Sequence, residues 1–151
     1  MNRRSLIVSS LLAAGAVLLF LQPARQTLAA DEVDVIVNKA NTLDELTVAE
    51  ARKVFMGDKS VWPSGKRVTI LMMAPGQPER AVILREIYKM SDGDYTKYFM
   101  QAAFTGRVTA PPKETSSAAQ MKQLVSENPG AIGYVKKSDV DDTVKVVLKF
   151  P

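Results

Sequence analysis

The stretch Val33-Asp-Val-Ile-Val37 constrains the fold more than any other in the chain. It reads as a strand, and as one apolar enough to be buried on both faces. Such a strand belongs in a sheet covered by helices on either side. The segments that follow supply them. Thr47-Val-Ala-Glu50 has the spacing of a capping box, and predicts a helix that runs to about Met56 and stops at Gly57, with Val54 and Phe55 inward. Pro63-Ser-Gly65 marks a turn, and Trp62 before it is expected to close over the core. Val68–Met73 reads as a second strand. It is broken by Ala74-Pro-Gly-Gln-Pro-Glu79, where Pro78 opens a helix to about Met90 that buries Leu84, Ile87 and Tyr88.

Ser91 caps the next helix. Tyr95, Tyr98, Phe99, Ala102 and Ala103 fall at helical spacing, the clearest such stripe in the chain, and are expected in the core. Thr105-Gly-Arg107 ends that helix, and residues 108–117 read as a loop, since Pro111 and Pro112 exclude helix. Ser117 caps a last helix with Met121, Leu124 and Val125 inward, stopped by Asn128-Pro-Gly130. Ala131–Val135 is a strand. After an acidic turn at 139–142, Val144–Phe150 is another, with Val144, Val146, Leu148 and Phe150 on one face. The order β-α-β-α-α-α-β-β predicts an α/β sandwich with a mixed sheet. In Asn128-Pro-Gly-Ala-Ile-Gly-Tyr-Val135, Gly130 is expected to supply a left-handed turn. Gly133, inside a strand, admits either close packing or close approach of a ligand.

Charge gives little reason to expect a polyanion partner. The pI is 9.4, but residues 1–30 hold Arg3, Arg4 and Arg25 and no acid, which leaves 17 of the 20 basic residues against 16 acidic ones. Nucleic acid is therefore not expected as a partner. The same 30 residues have the order of an export signal: Asn2-Arg-Arg4, the uncharged run Leu6–Leu21, then Thr27-Leu-Ala-Ala30. Cleavage after Ala29 or Ala30 is expected, releasing a domain of residues 31–151 into the periplasm. With no cysteine, that domain has neither a disulfide nor a lipid attachment site and must fold on its core alone.

Catalytic options are few. The chain has no His and no Cys, which removes the usual nucleophile pairs, a near-neutral imidazole and the common zinc ligand sets. Asp141-Asp142 and Lys136-Lys137 read as solvated corners, and no phosphate loop or dinucleotide fingerprint is present. No catalytic residue, metal or cofactor is expected. Binding has a better foothold. The turn Ala74–Gln77 lies between a strand end and a helix start, where open α/β sheets bind ligands and where the helix dipole favours anions. Against this, Pro78 has no N–H to offer and Glu79 brings negative charge, which Arg80 offsets or pairs with.

Three segments carry a resemblance. Leu46-Thr-Val-Ala-Glu-Ala-Arg-Lys-Val-Phe-Met-Gly57 with Trp62 and Gly65 following, the Asn128–Val135 stretch, and Tyr95–Pro112 resemble, in that family's order, the phosphate-binding proteins of bacterial ABC transporters and their small secreted single-lobe relatives. The resemblance spans about residues 33–136. It implies a three-layer α/β sandwich built as a single periplasmic-binding-protein-like lobe, and service to a membrane permease. Two departures qualify it. Removing residues 1–30 leaves 121, about one lobe, whereas the family closes two lobes on its ligand. Where the family carries Arg-Ser-Asp-Gly-Ser-Gly-Thr to hold phosphate, this chain reads Met73-Ala-Pro-Gly-Gln-Pro-Glu79. A dianion needs charge-assisted donors, which Met, Ala and Pro lack, so weak or no phosphate binding is expected.

The candidate ligand residues are Gly76, Gln77 and Arg80 at the turn, with Thr105 and Arg107 on the next loop, grouped by analogy with the fold. The expected function is a non-catalytic solute-binding-like protein. The alternative is a periplasmic interaction or sensor accessory protein without a small ligand. The partners that remain open are a small anion, an inner-membrane permease or other envelope protein, and a second copy of the chain.

Overall fold

A computed structural model describes residues 32–151. The export signal read at residues 1–30 lies outside them. The strands are β1 (Val33–Asn38), β2 (Thr69–Met73), β3 (Lys113–Thr115), β4 (Ala131–Lys136) and β5 (Val144–Phe150). They form one mixed sheet in the order β3-β2-β4-β1-β5. β2 runs parallel to both β3 and β4, while β1 is antiparallel to β4 and β5. The helices are α1 (Val48–Phe55), α2 (Pro78–Ile83), α3 (Asp92–Phe104) and α4 (Ala118–Glu127). Every residue of β1 is buried, the apolar ones as expected and Asp34 and Asn38 with them.

Alternation along β4 shows the layers. Tyr134 points into an aromatic cluster with Phe55 of α1, which in turn meets Tyr88 and, through it, Tyr95 and Phe99. Gly133 faces the other side, under Met121 of α4. The fold is thus a three-layer α/β sandwich. The glycines just before and within β4 serve packing. A Cβ at Gly133 would collide with the Met121 thioether, so the residue lets α4 settle on the sheet. Gly130 corrects the expectation of a left-handed turn: it is not among the positive-φ glycines. It is glycine because the Arg67 carbonyl lies where a Cβ would be.

The helix caps follow the sequence. Thr47 Oγ1 accepts from Glu50 N–H at 3.2 Å while Glu50 Oε2 accepts from Thr47 N–H at 2.9 Å. Ser91 and Ser117 accept from Asp94 and Gln120 N–H. Thr47→Ala is expected to cost about 1 kcal/mol, measured by urea unfolding at neutral pH. The hydrogen bonds from Thr47 hold the Glu50 carboxyl below its ordinary pKa. A depressed carboxyl stabilises above its unfolded pKa, and that contribution is lost as pH falls through the folded one. The gap between wild type and Thr47→Ala should therefore narrow in acid.

Four further expectations are corrected. The helix read as Pro78 to about Met90 is α-helical only to Ile83 and continues as a π-turn over Leu84–Tyr88, ended by Lys89 at φ 56°. Arg52 Nη1 donates to both the Ile87 and Tyr88 carbonyls at 2.8 Å, which satisfies acceptors the wider turn leaves open. The loop over 108–117 contains β3, which starts directly after Pro112 because neither proline has an N–H for the ladder. Ala103 is exposed, so the α3 stripe is narrower than its spacing implied. Finally, the register between β1 and β5 shifts at Val35/Ile36, leaving Val147 as an extra residue. Its carbonyl accepts from Leu46 N–H at 2.7 Å. Val147 is therefore buried, while Val146 and Leu148 are only half-buried.

Candidate functional site

The C-terminal ends of β2 and β3 lead into α2 and α4, so two helix starts rise from one edge of the sheet. This is the place where open α/β sheets hold ligands. β2 pairs with β4 only at Thr69 and Ile70, and no pairing continues along Leu71–Met73 on that side. Two side chains take over the backbone groups there. Tyr134 Oη accepts from Met73 N–H at 2.8 Å, and Arg80 Nη1 donates to the Met73 carbonyl at 2.7 Å. Burial pushes the Tyr134 phenol well above its ordinary pKa, so it stays neutral.

Arg80 is central to this arrangement and is only 2% exposed. Its Nε donates to Asp92 Oδ1 at 2.7 Å, Nη1 lies 3.6 Å from Glu114 Oε1, and the guanidinium sits 4.7 Å from the Tyr95 ring centroid. The cation is thus enclosed by two carboxylates, a carbonyl and a π-face. Glu79 is buried beside it in the first turn of α2. The N–H groups of the turn are equally committed. Ala74 N–H donates to Thr115 O at 2.8 Å and Gln77 N–H to Ala74 O at 3.4 Å, while Pro75 and Pro78 have none. Within residues 74–78 only the Gly76 N–H is left. Gly76 itself is exposed at φ 88° with open space around it, and Gln77 is the N-cap of α2 without a side-chain capping bond.

Thr105 and Arg107 lie elsewhere. Thr105 Oγ1 donates to its own helix at Gln101 O, 2.9 Å away. Arg107 Nη2 bonds Asp58 Oδ1 at 2.7 Å and the guanidinium stands 5.6 Å from the Tyr98 centroid. Arg107 lines a cavity together with Thr69 and Ile70, at the start of β2. The turn lies at its end, about 13 Å further along at the ordinary rise of a strand. The five candidate residues therefore do not form one site. Gly76, Gln77 and Arg80 share the C-terminal edge of the sheet, and Arg107 faces the opposite end. Sequence spacing could not have separated them, because the direction of α3 across the sheet is a property of the packing.

Other charged pairs are structural. Asp141 is held well below the usual carboxylate range by Lys122 and Thr143, and Lys137 pairs with Glu32. Tyr134 is the residue that sequence reasoning missed at the turn. It was legible only as one more apolar position of a strand.

The sequence matches no protein-family model. Solved structures of similar fold do exist. An ABC-type phosphate transport receptor from Vibrio cholerae superposes with a TM-score of 0.62 at 20% identity, over 78% of this chain and 46% of the receptor. A putative phosphate ABC transporter substrate-binding protein with bound phosphate from Clostridium perfringens gives a TM-score of 0.62 at 20% identity, over 78% and 45%. A possible phosphate binding protein from Planctomyces limnophilus gives 0.56 at 20% identity, over 78% and 40%. At this identity the likeness establishes the fold. The chain spans less than half the length of each of these proteins.

Proposed function

We propose that this chain is a non-catalytic, solute-binding-like protein of the periplasm that keeps one lobe of the phosphate-receptor fold without holding phosphate at the turn. The enclosure of Arg80 by Asp92, Glu114 and the Met73 carbonyl carries this reading. An oxyanion arriving at the turn meets carboxylates around a cation that is already neutralised, and it finds few uncommitted N–H groups. Desolvating a dianion without charge-assisted donors is unfavourable. The absence of His and Cys from the sequence supports a role without nucleophilic catalysis. The apolar segment at residues 6–21 supports export, with a membrane permease or another envelope protein as partner.

Inorganic phosphate at 10 mM is expected to leave the melting temperature unchanged. A micromolar site would be saturated at that concentration and would add about 4 kcal/mol or more, a shift of many degrees in a domain this size. Differential scanning calorimetry on protein purified from cells expressing the full sequence decides this. A phosphate-dependent rise of that order overturns the reading. Mass spectrometry of the same preparation should show an N-terminus at residue 30 or 31.

A second reading has an observation of its own. Met100 and Phe104, four residues apart on α3, are 69% and 92% exposed. An apolar pair on one helix face favours a protein contact, including one between two copies of the chain. Light scattering across a concentration series separates monomer from dimer.

A further inference from the structure

The cavity at the start of β2 has a volume of 410 Å³ and is lined by Lys59, Arg67, Arg107 and Lys113, with no Asp or Glu among its lining residues. Its origin is in the backbone. β3 pairs with β2 only from Leu71↔Lys113 onward, because Pro111 and Pro112 cannot extend the ladder. On the β3 side, β2 at Thr69 and Ile70 is left without a neighbouring strand, and the gap is the cavity. Its wall includes Ile70, Phe99 and Val108.

The charges at its rim are not an even coat of surface lysines. Outside residues 1–30 the chain has 17 basic and 16 acidic residues, so four cations around one cavity without an acid among its lining residues is a local asymmetry. Arg107 is paired with Asp58, and Lys59 stands 5.9 Å from the Trp62 ring centroid. Among the described residues, the side chains of Arg67 and Lys113 have neither an ion pair nor a hydrogen bond.

We propose that this cavity binds an organic anion, an acidic head group on an apolar body. Arg67 and Lys113 take the head, and Ile70, Phe99 and Val108 receive the body. The volume falls in the range of small-molecule sites. Unpaired cations beside an apolar wall favour a ligand that neutralises the one and covers the other. Inorganic phosphate has the charge without the body and should bind far less well. The site lies at the opposite end of β2 from the turn and does not draw on it.

The probe is 1-anilinonaphthalene-8-sulfonate, an aromatic anion. Trp62 is the only tryptophan in the chain and lies beside Lys59, so energy transfer from it reports occupancy. Saturable binding is expected. Displacement by octanoate or by phenyl phosphate then distinguishes a carboxylate head from a phosphate ester, and equal inorganic phosphate should leave the probe in place. The Arg67→Glu, Lys113→Glu double variant should bind about tenfold more weakly or worse, since both unpaired cations become repulsive. Lys39→Glu, an exposed charge reversal outside the cavity lining, should bind like wild type. Circular dichroism and melting verify that the variants fold. Independently of any variant, the affinity of wild type should fall as salt rises from about 0.02 M to about 0.5 M. No binding, equal binding of neutral N-phenyl-1-naphthylamine, salt-insensitive binding, or unchanged affinity in the folded double variant each overturns the proposal. The last result would move the probe to exposed Met100 and Phe104.

Discussion

Arg80→Ala is expected to destabilise the domain by about 3 kcal/mol while leaving its response to phosphate at zero. The side chain is 2% exposed and bridges Met73, Asp92 and Glu114. Alanine strands the Met73 carbonyl without its donor, opens a cavity against Tyr95 and removes the cation from that ring. The loss is limited because Asp92 and Glu114, at 50% and 54% side-chain exposure, can return to water once the cation is gone. Arg80→Met separates packing from polarity: it refills the space and should recover part of the loss, leaving the carbonyl unsatisfied. Urea unfolding followed by circular dichroism measures all three proteins. A loss below about 1 kcal/mol in the alanine variant would mean that the guanidinium is not structurally committed. The turn would then have to be reconsidered as an anion site.

Gly130→Ala should be comparably damaging, about 3 kcal/mol, through overpacking against backbone. The added methyl meets the Arg67 carbonyl oxygen, which cannot rotate away as a side chain can. Nor can the residue retreat cheaply. Its own carbonyl accepts from Trp62 Nε1 and from Thr69 N–H, both at 2.9 Å, which ties the start of β4 to β2 and to the Trp62 lid. Shifting Gly130 breaks one or both. Tryptophan emission is therefore a second readout, since it should move to the red as Trp62 loses its partner and gains water. Gly133→Ala is the control. There the obstacle is mainly the far end of Met121, which has rotamers to spare, so the cost should be nearer 1 kcal/mol. Equal losses at the two positions would refute the distinction between backbone and side-chain obstruction.

Much of the fold was legible because local chemistry and tertiary structure agree. Thr47, Ser91 and Ser117 cap the helices they were read to cap, and the first strand is buried on both faces as its residues demand. Where the reading failed, the cause lay outside the segment. Arg52, thirty-five residues before Ile87, supports the π-turn, and the Leu46 N–H takes the carbonyl of the bulge at Val147. Gly130, just before β4, which was expected to turn the chain, is instead a point of close approach to a residue far along the sequence.

The candidate site divides the same way. That Met73, Ala74, Pro75 and Pro78 bring no side-chain donor to the turn is written in the sequence, because donors are a property of residue identity. Where the remaining cations point is not. Arg80 reads as a possible anion ligand until Asp92 and Glu114 are seen against it. Arg107 reads as its neighbour until the two are found at opposite ends of β2. Composition, caps and apolar periodicity act over a few residues, so the sequence alone determined most of the elements and the scarcity of side-chain donors at the turn. Which charges are neutralised, and which are left facing a cavity, depends on residues distant in the chain meeting across the sheet, and only the tertiary structure decided that.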